Sequence, residues 1–176
     1  MSSERYGPPA IALHWLHAVL VLGLLGLGWF MVDLPKGPER TFPFALHKSL
    51  GLCSLLLILL RAVWRWRHTP PPAISSAQWQ RRLAAATHHL LYVLLFLAPL
   101  AGYLSASFTK YPMKFFGLTI PKAGWPDEAL NETFNLLHKG AVWTLALLVC
   151  LHLTGTLYHA WRRDGTWSRM SPWRRG

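Results

Sequence analysis

The sequence predicts an all-α integral membrane protein, a four-transmembrane-helix bundle that forms a single domain over residues 1–176. Three observations lead to this fold class. The chain is 52% hydrophobic. Its apolar residues are collected in four stretches of about the 20 residues that a spanning helix needs. No Asp or Glu lies deep within any of these stretches, as is typical of segments that face lipid.

The four predicted helices cover approximately residues 9–32, 44–64, 84–106 and 134–161. The first has no small-residue cleavage site at its end and is too long for a signal peptide, so we interpret it as a permanent helix. The connection DLPKGPERTFP is short, which predicts that the first two helices are antiparallel neighbours. The prolines of TPPPAISS cannot continue a helix. The third connection, from about Ser107 to Asn131, is long and aromatic, and we expect it to fold back as a lid over the outer end of the bundle.

The formal net charge of +11 indicates topology and argues against nucleic-acid binding. With four spans, the termini and the second connection share one side of the membrane. That side has eleven arginines and two acids, whereas the other has seven cations and five acids. The eleven are Arg5, Arg61, Arg65, Arg67, Arg81, Arg82, Arg162, Arg163, Arg169, Arg174 and Arg175, and their acids are Glu4 and Asp164. The positive-inside rule then predicts a multi-pass membrane protein with both termini in the cytoplasm.

Four histidines lie inside apolar stretches at depths that pair them across the bilayer. On the fourth helix, His138 and His152 are separated by about 21 Å and lie close to one face. His47 opens the second helix level with His138, and His14 begins the first helix in the half that holds His152. A six-coordinate haem iron takes one neutral imidazole on each side. The spacing therefore predicts two non-covalent haems b, with His14 and His152 as axial iron ligands of the inner one and His47 and His138 of the outer one.

Covalent c-type attachment is excluded because the chain has no C-x-x-C-H motif. Glycines on the first two helices would give a porphyrin room between facing helices: Gly23, Gly26, Gly28 and Gly51. The alternative for the glycines is ordinary close packing, and the alternative for each histidine is a hydrogen bond between helices. Two free thiols, Cys53 and Cys150, are interpreted as small buried side chains.

The other histidines have separate interpretations. His88, His89 and His159 form a cluster at the inner end that is a candidate quinone site, because quinone carbonyls need hydrogen-bond donors and a source of protons. The alternative is that they extend to lipid phosphate. His17 is one turn from His14 and is an alternative ligand, although a polar contact between helices is the favoured interpretation. His68 is interpreted as a loop residue.

Several segments resemble the bacterial cytochrome b-561 family across nearly the whole chain. They are IALHWLH, FALHKSLG, THHLLYVLLFLAPLAGY, FGLTIP and LLHKG…LHLTGTLYHAW. The resemblance implies a dihaem cytochrome of the bacterial cytoplasmic (inner) membrane with the same four ligands. Within the inner histidine cluster it favours His88, rather than His89, together with His159 for the quinone. It is greatest to small members that oxidise superoxide outside the membrane and reduce ubiquinone near the cytoplasmic side, which implies an oxidoreductase.

The outer side carries every lysine of the chain, and two of them directly follow a proposed outer haem ligand. Lys48, Lys139, Lys110 and Lys114 are the candidates for steering a small anion such as superoxide. The same charge would suit an acidic periplasmic redox protein, so a second hypothesis is quinol-linked electron transfer to or from such a protein. Less favoured hypotheses are a membrane metal-ion transporter, which would need acidic or thiol ligands within the spans, and a bare membrane anchor.

Overall fold

The computed structural model describes residues 5–35, 37–72 and 77–172, and its main elements are four long helices. They are α1 (Pro8–Val32), α2 (Thr41–Arg67), α3 (Gln78–Ser107) and α4 (Glu128–Arg162). All four are long and apolar enough to cross a membrane. Helices adjacent in sequence pack against each other, and the most extensive of these contacts joins α3 to α4. The predicted four-helix fold is confirmed. The prediction that both thiols are buried is wrong, because Cys150 is exposed on the outside of α4 and Cys53 is only half-buried.

A small buried cluster joins the four helices. It consists of Val21, Ile58, Leu91, Leu95 and Leu145. Many of the other large apolar side chains are exposed on the outside of the bundle. A water-soluble protein rarely exposes apolar surface on this scale, whereas lipid tails cover it in a membrane.

Two helices begin six residues before their apolar stretches. Helix α4 starts at Glu128 because the Asp127 side chain accepts a hydrogen bond from the Leu130 amide at 3.0 Å, which is the usual role of an N-cap. Glu128 in the first turn also interacts favourably with the helix dipole. Helix α3 begins at Gln78. Hydropathy marks the membrane-embedded part of each helix, but the hydrogen-bonded backbone continues into the polar flank.

The third connection contains a β-hairpin that the sequence analysis did not predict. Strand β1 (Met113–Phe115) pairs antiparallel with β2 (Leu118–Ile120). The turn places Phe116 at φ 45° and Gly117 at φ 92°, and a left-handed backbone suits glycine best. The Phe116 amide donates to Ser49 Oγ at 2.9 Å. This bond holds the hairpin against α2, two residues beyond His47, so the connection folds back on the bundle.

Some residues used in the sequence analysis lie outside the described ones. These are Glu4, Lys36, Arg174, Arg175 and the stretch 73–76 of the proline-rich connection.

Candidate metal centres

The outer pair consists of His47 on α2 and His138 on α4. Their ring centroids are 6.2 Å apart and the ring planes are nearly perpendicular, at 86°. His138 Nδ1 lies 2.7 Å from the Ala98 carbonyl oxygen and must donate to it, because a carbonyl only accepts. The proton on Nδ1 leaves Nε2 with a free lone pair, as a metal-binding histidine requires. Among the described residues, the buried Nδ1 of His47 has no hydrogen-bond partner.

Two glycines give these imidazoles their space. A Cβ at Gly28 would lie 3.3 Å from His47 Cε1, and a Cβ at Gly102 would lie 3.1 Å from His138 Nδ1. Both distances are shorter than ordinary van der Waals contact. Gly28 was among the glycines that the sequence analysis selected. Gly102 was missed, because its importance depends on the packing of α3 against α4.

The inner pair consists of His14 on α1 and His152 on α4. Their ring centroids are 6.3 Å apart with an interplanar angle of 67°. The His88 ring of α3 lies 5.4 Å from the His152 ring. Three helices therefore bring three imidazoles together at this end of the bundle.

Arg61 of α2 makes hydrogen bonds to two histidines at this end of the bundle. One guanidinium nitrogen lies 3.2 Å from His14 Nδ1, and the other lies 3.2 Å from His17 Nδ1. His17 is fully buried and its Nε2 lies 2.9 Å from Ser54 Oγ, so it makes the polar contact between helices that the sequence analysis assigned to it. The sequence analysis used Arg61 only in the charge count. The signal that it missed was a single arginine between apolar residues of a spanning stretch, which is a candidate functional residue.

Both pairs have the spacing that one shared metal ion requires. A metal–imidazole bond is about 2 Å long, and the ring centre lies roughly 1 Å behind the bonded nitrogen. Two imidazoles on opposite sides of one ion therefore have centroids about 6 Å apart. At the inner pair, Arg61 can only donate, so His14 Nδ1 accepts and the proton of the neutral ring is on Nε2. That contact must open before His14 Nε2 can coordinate. With this condition, both donor sets fit a bis-imidazole haem iron.

Comparison with known proteins identifies the family. The family described as prokaryotic cytochrome b561 matches residues 5–173. The chain belongs to this family. Cytochrome b561 proteins are helical membrane proteins that bind b-type haem and transfer electrons, and this chain is accordingly a multi-pass membrane cytochrome of the oxidoreductase class.

Individual relatives cover almost the entire chain. Cytochrome b561 homolog 2 of Escherichia coli (strain K12) is 34% identical over 177 residues, which are 95% of this chain and 91% of the relative. A probable superoxide oxidase CybB of Yersinia pestis is 26% identical over 178 residues, covering 98% and 99% of the two chains. Cytochrome b561 homolog 1 of Escherichia coli (strain K12) is 24% identical over 179 residues, with the same coverage.

The two candidate quinone residues of this cytochrome b561 lie in different surroundings. His88 lies beside His152, whereas His159 Nδ1 lies 2.5 Å from a carboxylate oxygen of Asp164. Partial burial raises the pKa of Asp164, but hydrogen bonds from His159 and Thr166 outweigh it and bring the pKa below its ordinary value. In the described part of the chain, His88 and His159 share no hydrogen bond or ring contact.

The remaining histidines make local contacts. His89 Nδ1 lies 2.7 Å from the Ala85 carbonyl oxygen of its own helix. The His68 ring stacks on Trp64 at 3.9 Å. Neither contact involves the two pairs.

The four candidate steering lysines are distributed over the outer end of this cytochrome b561. Lys48 is half-buried on α2, and Lys139 is exposed on α4. Lys114 is exposed on β1, and the Lys110 amine lies 5.6 Å from the centroid of the Tyr111 ring. They lie on α2, on α4, on β1 and in the segment before β1.

Proposed function

We propose that this cytochrome b561 oxidises superoxide at the periplasmic side of the inner membrane and passes the electrons through two haems b to ubiquinone at the cytoplasmic side. The observation that supports it most is a pair of neighbouring imidazoles at each of two depths, with centroid separations of 6.2 and 6.3 Å. Along α4 the two levels are about 21 Å apart. One pair alone would support a haem, whereas two pairs at successive depths support a path for electrons.

In this proposal His47 and His138 hold the outer haem and His14 and His152 hold the inner one. Bound haem supplies one-electron redox chemistry. Two superoxide ions each lose one electron and leave as oxygen, and ubiquinone takes up the two electrons with two protons to become ubiquinol. The Ala98 carbonyl fixes the orientation of the His138 ring, as partners behind a ligating histidine commonly do.

The protein's other contribution at the outer site is charge. Lys48 and Lys139 each follow an outer ligand in sequence, and Lys114 lies exposed on the hairpin above α2. A cationic approach raises the encounter rate of a small anion, and the gain falls steeply with ionic strength. The relative from Yersinia pestis, whose printed name is probable superoxide oxidase, supports this substrate.

At the inner site we propose His88 and His159 as hydrogen-bond donors or proton carriers for the quinone. A neutral imidazole can donate a hydrogen bond from one ring nitrogen and accept at the other. The position of the His88 ring, 5.4 Å from His152, supports a place next to the inner haem. The Asp164 carboxylate beside His159 supports a proton path that opens toward the cytoplasm.

A second candidate is quinol-linked electron transfer with a periplasmic redox protein. The exposure of Lys114 and Lys139 favours it, because exposed cations also attract an acidic protein surface. In that case a docked protein, and not a diffusing anion, exchanges electrons with the outer haem.

The deciding experiment mixes the oxidised holoprotein rapidly with superoxide and follows the haem absorption bands, with and without ubiquinone. We expect fast haem reduction, followed by reoxidation only when ubiquinone is present. A Lys114→Gln, Lys139→Gln variant should be slower than wild type at low salt and equal to it at high salt. Haem that dithionite reduces and superoxide does not would contradict the proposal and favour the protein partner.

A further inference from the structure

The chain continues beyond α4 into a segment that contacts the beginning of α1. Residues 166–171, which we call the inner strap, include a short 3-10 turn at Trp167–Arg169. The start of the strap is held to α4 through the Asp164 carboxylate. One of its oxygens lies 2.5 Å from His159 Nδ1, and the other accepts from the Thr166 amide at 3.0 Å.

The end of the strap is bonded to α1. The Trp15 indole Nε1 donates to the Met170 carbonyl at 2.7 Å, and the Tyr6 amide donates to the Arg169 carbonyl at 3.2 Å. The Trp15 ring also meets the Trp167 ring edge-on, with centroids 6.2 Å apart. The strap therefore connects the last turn of α4 to the first turns of α1.

The strap also contacts the second connection of the chain. A guanidinium nitrogen of Arg169 donates to the Pro72 carbonyl at 2.7 Å, and Ser171 is buried. Hydrogen bonds to α1, to α4 and to this connection hold the strap in one position.

The strap joins the two helices that carry the inner histidine pair. Helix α1 packs mainly along α2, and α4 packs mainly along α3, whereas α1 and α4 have few direct contacts in the described part of the chain. The His14 and His152 rings, 6.3 Å apart, form one of them. The separation of this pair therefore depends on what holds the beginning of α1 relative to the end of α4.

Coordination of a metal by His14 changes one of the contacts that hold this part of α1. The Arg61 guanidinium donates to His14 Nδ1 at 3.2 Å, and that contact must open before His14 Nε2 can coordinate. The bond from Trp15 to the strap involves no ligand atom and can persist. Trp15 directly follows His14, so their side chains leave the helix axis about 100° apart. A fixed indole therefore also fixes the direction of the imidazole.

We propose that the inner strap sets the position of the inner pair and that Trp15 is the positioning residue for His14, through its bond to the Met170 carbonyl. This inference rests on the part of the proposed function that makes His14 a ligand of the inner haem. Partners that orient a ligating histidine also tune the metal. Loss of the strap bond should therefore change the inner haem and leave the outer one as it is.

The test replaces Trp15 with Phe in the holoprotein, which keeps an aromatic ring and removes the N–H donor. Deuterium exchange of the Tyr6 amide reports whether the strap stays bonded to α1, and this readout needs no haem. We expect about fivefold faster exchange, the effect of losing one ordinary hydrogen bond. We also expect a shifted EPR signal of the inner haem and an unchanged signal of the outer haem. The signal that His14→Ala removes identifies the inner haem.

Two further variants accompany this one. Trp161→Phe is the matched control, because Trp161 is an exposed tryptophan near the same end of α4. Trp167→Leu removes the ring that packs against Trp15, and it should shift the same EPR signal as Trp15→Phe.

Unchanged exchange of the Tyr6 amide in Trp15→Phe would overturn the proposal, because the bond would not be holding the strap. Faster exchange with an unchanged inner signal would reduce the strap to a packing contact. Equal changes in both haem signals, or an equal effect of Trp161→Phe, would show a general loss of stability. Retention of both signals in His14→Ala would refute the ligand assignment itself. None of these readouts uses superoxide or ubiquinone, so failure here is distinguishable from failure of the proposed reaction.

Discussion

The imidazole of His138 is positioned by two residues one turn apart on α3. The Ala98 carbonyl accepts its Nδ1 proton at 2.7 Å, and Gly102 leaves the room in which the ring lies, with only 3.1 Å from a would-be Cβ to Nδ1. Pro99 lies between them and interrupts the regular hydrogen bonding of the helix. The position of the His138 ring therefore depends on two features of α3: the carbonyl acceptor of Ala98 and the absence of a side chain at Gly102.

Replacing Gly102 with Ala should displace His138. The added methyl group would meet the ring at 3.1 Å, so the bond to Ala98 has to lengthen and the axial position becomes distorted. We expect partial loss of one haem and a changed EPR signal for what remains of it. Gly140→Ala is the control, because a Cβ there meets nothing within 4 Å. An unchanged haem content and spectrum in the Gly102 variant would show that His138 is not a ligand.

Ser54→Ala should destabilise the contact between α1 and α2. It removes the partner of His17 Nε2, which lies 2.9 Å away in a fully buried ring. A lost buried hydrogen bond between membrane helices costs about 1 kcal/mol. The expected result is a lower thermal unfolding midpoint in detergent. Thr144→Ala should change little, because Thr144 is exposed and bonds only to its own helix; equal effects of the two variants would contradict this account.

The sequence could predict the partners of those residues that are defined by their depth in the membrane. It could not predict contacts that depend on how one helix is rotated against another. The pairing of His47 with His138 and of His14 with His152 followed from depth alone, and the structure brings both pairs together. The contacts of Arg61 depend on the rotation of α2 relative to α1. Hydropathy does not define that rotation, so Arg61 could not be joined to His14 in advance.

Among the elements, the hairpin of the third connection depends on one serine of α2. Ser49 Oγ donates to the Ala45 carbonyl and accepts from the Phe116 amide, both at 2.9 Å. Phe116 has a positive φ of 45°, a conformation that non-glycine residues adopt only when surrounding contacts hold it. Ser49 is therefore the residue through which the hairpin is attached to α2.

Ser49→Ala should loosen the hairpin without changing the helices. The Phe116 amide would lose its acceptor, and a hydrogen bond of roughly 1 kcal/mol corresponds to about fivefold faster exchange of that amide with solvent. Hydrogen–deuterium exchange of the 113–120 segment measures this. Thr119→Ala, on the exposed side of β2, serves as the control. Exchange unchanged by the Ser49 variant would show that other contacts hold the hairpin.

The helices could be predicted from the pattern of apolar residues, whereas the hairpin could not. The four apolar stretches identified the four helices, because the membrane requires long apolar segments. The hairpin went unnoticed because its strands have only three residues each. The two strands are held by the turn at Phe116 and Gly117 and by the bond to Ser49. Neither feature produces a periodic pattern of apolar residues that could be recognised in the sequence.

For the whole molecule, the outer and inner ends have different chemistry. The outer end combines exposed lysines with a hairpin fixed beside His47. The inner end has arginines and three close imidazoles. The proposed electron path, which takes electrons at one surface and delivers them at the other, requires two ends that differ in this way.

The central claim is that the two histidine pairs hold two haems, and haem counting tests it most directly. We measure haem per chain by the pyridine haemochrome method, with low-temperature EPR, in wild type, His47→Ala and His14→Ala, and in His89→Ala as a control that removes a histidine outside the pairs. The account predicts two haems in wild type and the control, and one in each pair variant, with a different EPR signal missing from each. Retention of both haems in either pair variant would contradict it.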